Sequence, residues 1–186
     1  MINKTDMLQD IERVLLTQEE IAAHVAQLAA RLTADYAEKD PVLICVLKGA
    51  VNFFKDLVVQ LPFHCEYEFV VASSYGGGTQ TSGSVQLRKD VFTDLRGRHV
   101  VVIEDILDTG LTLDFLVAHL KTKEPASLKI CTLLDKPSRR RVDLQADYVG
   151  VTIPNEFVVG YGLDYNEHYR NLPFIGILKP EVYSHP

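Results

Sequence analysis

Thirteen residues, Val101 to Leu113, read VVIEDILDTGLTL. An apolar run, Val100 to Ile103, ends in two adjacent acids, Glu104 and Asp105, and Asp108-Thr109-Gly110-Leu111-Thr112 follows three positions later. The pattern predicts a buried strand, a tight loop and a helix N-terminus. Two acids at a strand tip cost free energy to hold together unless a cation or a sugar hydroxyl uses them. The small, hydroxyl-rich loop offers backbone N–H groups and side-chain hydroxyls at a helix start, where anions are stabilised. A site for metal or hydroxyls thus adjoins a site for phosphate, a pairing that suits a phosphorylated sugar.

Other residues of chemical interest stand at the ends of apolar runs. Val42 to Leu47 is a wholly apolar segment, suited to a central strand covered on both faces, and it stops at Lys48-Gly49-Ala50. Glycine there lets backbone approach a ligand closely, although Lys48 taken alone is a solvated lysine in an ordinary turn. Leu128 to Leu134 is a second buried strand, ending in Asp135-Lys136-Pro137-Ser138 and Arg139-Arg140-Arg141. The arginine run reads as a solvated turn. Ser73 to Ser84 is low in hydrophobicity and holds Gly76-Gly77-Gly78. No helix follows these glycines and no GxxxxGK[S/T] loop occurs, so neither nucleotide fingerprint applies. The stretch is a hairpin loop or a lid over an intermediate. The six histidines show no metal-ligand spacing and are expected at the surface or satisfied.

The elements that position these residues follow from periodicity. Thr17-Gln18-Glu19-Glu20 has capping-box spacing, and Ile21, Val25, Leu28 and Leu32 recur at helical intervals, so a helix is expected over roughly 17–37. Val51 to Val59 reads as helix, and Leu113, Leu116, Val117 and Leu120 mark another. Phe63, Cys65, Tyr67, Phe69 and Val71 alternate as a strand, with Val85 to Leu87 as its return. Short strands are expected at Tyr148–Val151 and Phe157–Val159, and the apolar run Phe174–Leu178 closes the chain. Strands alternating with helices give an α/β fold with a central parallel sheet flanked by helices, and ligands gather at the carboxyl ends of its strands.

Composition narrows the setting. The chain has 186 residues, is 47% hydrophobic and 24% charged, and carries a net charge of −6. That is enough for one domain with a real core, and it does not favour nucleic-acid binding. No apolar run approaches the roughly 18–20 residues of a membrane span, and MINKTDMLQD lacks a signal-peptide pattern. Cys45, Cys65 and Cys131 lie in apolar runs without a CxxC pair, as buried reduced thiols of a cytoplasmic protein do.

Val101 to Leu113 resembles the phosphoribosyl pyrophosphate motif of the type I phosphoribosyltransferases. Leu47-Lys48-Gly49 is similar to that family's pyrophosphate loop, and Ser73-Ser74-Tyr75-Gly76 to the start of its catalytic loop. Leu134-Asp135-Lys136-Pro137 and Phe157 to Tyr165 resemble the base-recognition elements of its hypoxanthine-guanine branch. The likeness spans about 42–177. It implies one domain over 1–186, with a core at about 38–160 and a small hood built from N-terminal residues and about 161–186.

The resemblance also implies the site. Glu104 and Asp105 would accept from the ribose hydroxyls, and Asp108 to Thr112, with Thr109, Gly110 and Leu111 between, would hold the 5′-phosphate. Leu111 places no cation there. Lys48, Gly49, Ser74, Tyr75 and Arg170 would serve the pyrophosphate, with Ser74 and Tyr75 on the lid. Mg²⁺ would be held by Glu104, Asp105 and Asp164. Ile106, Lys136, Phe157, Val158 and Asp164 would bind the purine, Lys136 donating to its 6-oxo oxygen and Phe157 stacking on it. Asp108 would take or share the proton of the base. In isolation Asp108 only caps a helix and Lys136 is a solvated turn lysine, and the surrounding motifs reverse both; for Phe157, a plain core phenylalanine is the alternative to stacking. A xanthine-guanine-preferring enzyme and a non-catalytic sensor of phosphoribosyl pyrophosphate are the alternatives. A homodimer or homotetramer, with no nucleic-acid or membrane partner, is the expected state.

Overall fold

The fold is that of a computed structural model, which describes residues 4–74 and 85–184. The apolar runs become the strands of a six-stranded sheet: β2 (Val42–Leu47), β3 (Glu66–Ser74), β4 (Val85–Lys89), β5 (His99–Leu107), β6 (Ser127–Asp135) and β7 (Tyr148–Thr152), in the order β4-β3-β2-β5-β6-β7. All neighbouring pairs are parallel except β3 with the edge strand β4. The longest apolar runs, β2 and β5, lie at the centre, because a parallel strand covered on both faces must be apolar on both.

Alternation along these strands divides the interior into two cores. Leu43, Cys45, Val101, Ile103, Cys131 and Leu133 face helices α2 (Gln18–Tyr36) and α3 (Val51–Val58). Val42, Ile44, Val46, Val100, Val102 and Ile130 face helix α4 (Leu111–Lys121). Helix α2 begins where the capping box places it: Glu20 N donates to Thr17 Oγ1 at 3.2 Å, and Thr17 N donates to Glu20 Oε2 at 2.8 Å.

A second, three-stranded sheet forms the hood. Its strands are β1 (Ile11–Leu16), β8 (Val158–Val159) and β9 (Ile175–Leu178), antiparallel in the order β1-β9-β8. The short helices α1 (Lys4–Gln9) and α5 (Pro180–Tyr183) flank it in sequence. Val159, Tyr169, Leu172 and Leu178 form its separate apolar cluster.

Several expectations change. Strand β5 does not stop at the acids but continues through Glu104 and Asp105 to Leu107, since its ladder with β6 holds as far as Leu107 opposite Asp135. Strand β3 begins only at Glu66, leaving Phe63 and Cys65 in the preceding loop. Strand β1 carries no clear alternation, and its partner β9 lies more than 150 residues away. His99 Nδ1 meets Ser127 Oγ at 2.8 Å and His119 Nε2 meets Asp90 Oδ2 at 2.9 Å, whereas Nδ1 of His24 is buried without a partner among the described residues. Tyr75 and the glycine-rich stretch through Ser84 lie outside the described residues.

The reciprocal cap on α2 is removable without touching the sheet edge. Thr17→Ala is expected to lower stability by about 1 kcal/mol, read as a fall in the thermal unfolding midpoint with turnover unchanged.

Candidate active site

The carboxyl ends of β2, β5 and β6 meet at one edge, and register brings distant residues together there. Ile106 lies opposite Leu134 and Leu107 opposite Asp135, and Lys136 N donates to Leu107 O at 3.0 Å. Lys136 therefore stands beside the β5 tip although it follows Asp108 by 28 positions (136 − 108). The loop after β2 lies on the other side, with the Leu47–Lys48 peptide in the cis form. Gly49 rests directly against the Asp105 carboxylate, where a Cβ would overlap Asp105 Oδ2. Gly162, at φ +108°, packs in turn on the Gly49 carbonyl, again with no room for a side chain. Both positions require glycine because of close approach.

Glu104 is buried, and Asp105 N donates to its Oε1 at 3.3 Å. Asp105 Oδ1 accepts from Ile106 N at 2.7 Å. Burial, and then the neighbouring Asp105 charge, hold Glu104 well above the usual carboxylate range. Burial also raises Asp105, opposed in part by hydrogen bonds and by Arg170. In the free protein the pair thus resists carrying two negative charges, and a cation or hydroxyl donors brought to it would relieve that cost.

Asp108 is not a helix cap. The N-cap of α4 is Gly110, which offers no side chain, and the weak local bond runs from Leu111 N to Thr109 Oγ1 at 3.5 Å. The first N–H groups of an eleven-residue helix thus face the loop. Asp108 Oδ1 instead accepts from Arg139 Nε at 3.3 Å. Arg140, expected in a solvated turn, is largely covered. Its guanidinium donates to the carbonyls of Asp108 (3.0 Å), Leu107 (3.2 Å) and Leu144 (2.5 Å) and pairs with Asp135. The Asp108 carbonyl beyond the end of β5 finds its donor in this side chain, which also adds a second donor to the Leu107 carbonyl.

Two adjoining cavities share the β5 tip. One, of about 230 Å³, is lined by Leu47, Gly49, Glu104, Asp105, Asp108, Thr109, Gly110 and Thr112. The other, of about 490 Å³, is lined by Asp105, Ile106, Asp108, Lys136, Phe157, Val158 and Asp164, with Arg139, Glu156 and Tyr183 among its further walls. Its walls come from both sheets, so it lies between core and hood, where small-molecule sites commonly form. Lys136 is 6% exposed, donates to Glu156 O at 2.8 Å, and is lowered below the ordinary lysine range by burial. It is not a solvated turn lysine. Phe157 stacks with Tyr183, ring centroids 4.8 Å apart, so it is held in an aromatic cluster that borders the cavity.

Sequence reasoning missed Glu167. Its carboxylate accepts from Lys48 Nζ at 3.0 Å and from Arg170 at 3.2 Å, linking the two cations expected to meet pyrophosphate. Arg170 also pairs with Asp164 Oδ1 at 2.8 Å and donates to Gly162 O at 2.7 Å. Positive φ at Asn166, Glu167 and Tyr169 turns the chain so that Glu167 lies between them. No composition or periodicity marks that turn. Ser74 ends β3, and Tyr75 lies outside the described residues.

A family model described as a phosphoribosyl transferase domain matches residues 14–166. A hypoxanthine-guanine phosphoribosyltransferase of Streptococcus thermophilus is 52% identical over 176 residues, covering 95% of this chain and 98% of its own. One from Streptococcus pneumoniae is 54% identical over 175 residues, covering 94% and 97%. The crystal structure of a hypoxanthine phosphoribosyltransferase from Staphylococcus aureus superposes with a TM-score of 0.93 at 49% identity, over 100% of both chains.

The buried pair sets a pH dependence. A carboxyl raised by folding favours the folded state when protonated. Its cost is therefore absent at low pH and grows as pH rises through the unfolded carboxylate range toward the folded value. Replacing both acids with amides, Glu104→Gln and Asp105→Asn, is expected to raise the unfolding midpoint of the ligand-free protein at about pH 8, with the gain shrinking toward about pH 4. Thermal melts across that range check it.

Proposed function

Because the chain belongs to the hypoxanthine-guanine phosphoribosyltransferase family, we propose that it serves purine salvage. It transfers the 5-phosphoribosyl group of phosphoribosyl pyrophosphate to N9 of hypoxanthine, and of guanine, releasing pyrophosphate and forming IMP or GMP. One observation carries the assignment of substrates to places. Asp105, Ile106 and Asp108 line both cavities, so a sugar phosphate in the smaller and a base in the larger would meet across the β5 tip.

The roles follow from the chemistry of each wall. The free N–H groups at the start of α4, with the Thr109 and Thr112 hydroxyls, cradle the 5′-phosphate. Glu104 and Asp105 accept from the ribose 2′ and 3′ hydroxyls. Lys48 and Arg170 draw the pyrophosphate, exchanging Glu167 for it. Lys136 is already committed to donating inside the larger cavity, and it gives a hydrogen bond to the 6-oxo oxygen. Phe157 stacks on the base, Val158 offers backbone groups, Ile106 covers the ring, and Asp164 lies near the purine 2-position. Ser74 and Tyr75 would serve the pyrophosphate and help to keep water from the activated sugar.

Mg²⁺ suits this donor set in one mode. The candidate ligands Glu104, Asp105 and Asp164 are hard oxygen donors, but no group of three metal-binding side chains occurs among the described residues. The ion would therefore take one or two carboxylates and complete its shell with substrate oxygens and water. When bound, it supplies charge neutralisation at the departing pyrophosphate. Asp108 accepts or shares the proton at purine N7 as N9 bonds to the ribose, and Arg139 stands by its carboxylate.

The enzyme works in the cytoplasm as a homodimer or homotetramer, with no nucleic-acid or membrane partner. Free Cys45, Cys65 and Cys131 support the first; no described helix is long and apolar enough to cross a membrane. Exposed Val59 and Phe92 supply apolar surface for association.

Pyrophosphate release with Mg²⁺, phosphoribosyl pyrophosphate and each of hypoxanthine, guanine, xanthine, adenine and uracil tests the function. Turnover is expected with hypoxanthine and guanine; silence with every base would instead indicate a sensor. Asp108→Asn is expected to cut kcat by roughly 10²–10⁴-fold while leaving phosphoribosyl pyrophosphate binding largely intact, and near-normal turnover would remove the proton-transfer role. Lys136→Ala is expected to erode the preference for 6-oxo over 6-amino purines in competition assays.

A further inference from the structure

Phe157 has a neighbour that no motif marks. Tyr183 ends α5, and its ring lies almost parallel to that of Phe157, with centroids 4.8 Å apart and planes at 20°. Tyr165 meets Phe157 from another direction, edge to face at 5.6 Å and 88°. Tyr183 also lines the 490 Å³ cavity, together with Asp108 and Lys136. It is therefore a hood residue with one side on the apolar cluster and one on the space between the sheets.

The chain holds it there by local means. Lys179 N donates to Asp10 O at 2.9 Å, tying the end of β9 to the segment before β1. Pro180 opens the turn, and Ser184 N closes it on Pro180 O at 2.9 Å. Val182 and Tyr183 then pack on the cluster of Val159, Tyr169, Leu172 and Leu178. The stack sets the plane of the Phe157 ring, because a phenylalanine covered on one face by a parallel ring keeps one χ2 orientation.

We propose that Tyr183 is a positioning residue of the base pocket, acting through Phe157. The C-terminal turn supplies a second aromatic wall, which fixes the plane of Phe157 and presents the cavity with a preformed flat surface for a planar bicyclic base. The proposal rests on the assignment of the larger cavity to the base. Preorganised rings bind a planar ligand without the cost of ordering them on binding. The sugar-phosphate cavity does not include Tyr183, so the effect is confined to the base.

The test uses the full chain and three variants, Tyr183→Ala, Tyr183→Leu and Tyr183→Phe. KM for hypoxanthine, KM for phosphoribosyl pyrophosphate, kcat and the unfolding midpoint are measured for each. Tyr183→Ala is expected to raise KM for hypoxanthine about three- to tenfold and to leave KM for phosphoribosyl pyrophosphate within about twofold. Tyr183→Phe, which keeps the ring, is expected to restore the wild-type value. Tyr183→Leu keeps apolar bulk in the hood, so a raised base KM there separates loss of the aromatic wall from loss of packing. An unchanged or lowered base KM in the Leu variant, whatever the Ala variant does, would overturn the proposal, leaving Tyr183 as hood packing or as a ring that the base displaces. Lys136→Ala keeps the two readings apart. If it leaves the choice between 6-oxo and 6-amino purines unaltered, the base-pocket assignment itself fails. If it alters that choice while the Tyr183 variants are silent, only the role of Tyr183 fails.

Discussion

Glu104 and Asp105 stand side by side at the end of the central strand, with Gly49 laid against the Asp105 carboxylate and Gly162 laid against Gly49. Water is largely replaced there by backbone, and burial raises both carboxyls. The free protein therefore holds an unfavourable pair at its most central point. A pair of acids on a solvated loop would bear no such cost and would also exert a weaker pull on hydroxyls or a cation. The pair is held in place by the ladder of β5 with β6, which runs past the acids to Leu107, and Arg140 donates to the Leu107 and Asp108 carbonyls beyond them.

That arrangement explains the division of labour between the two sheets. The six-stranded sheet supplies the rigid tip and the helix N-terminus, which suit a charged sugar phosphate. The hood supplies Phe157, Val158 and Tyr183, which suit a flat and weakly polar ring. Lys136 belongs to the core but reaches the hood through the Glu156 carbonyl, so its ammonium is already directed toward the place where the two ligand types meet. The network of Lys48, Glu167, Arg170 and Asp164 closes the same edge from the opposite side. Its charges are matched internally in the absence of a substrate, although Lys48 and Glu167 are both exposed, so the individual pairs are weak and readily exchanged.

Much of this was legible in the chain. The apolar runs within β2, β5 and β6 lie in adjacent parallel strands, and the capping box starts α2 where its spacing places it. The elements that escaped are those without a period. Strand β1 is half exposed and is a strand only because β9 pairs with it, whereas the short strand expected at Phe157–Val159 is present as β8. The extent of β5 escaped for a related reason. Acids argue against a buried strand locally, and the ladder with β6 overrides them. The arginine run was misjudged at Arg140 because charge patterning cannot register the carbonyls of Leu107 and Asp108, which a segment more than 30 residues away brings to it.

By itself the sequence determined which chemical groups are present and in what local order: two acids at a strand end, a small hydroxyl loop before a helix, a lysine after a second strand. Those are properties of short segments, where steric and hydrogen-bonding preferences act over a few residues. Only the tertiary structure decided their relations. The parallel register of β5 and β6 puts Lys136 beside Leu107, the fit of Gly49 covers one side of the Asp105 carboxylate, and the antiparallel hood brings Tyr183 onto Phe157. Each depends on packing between segments far apart in the chain, and a residue's type and neighbours carry no record of such a partner.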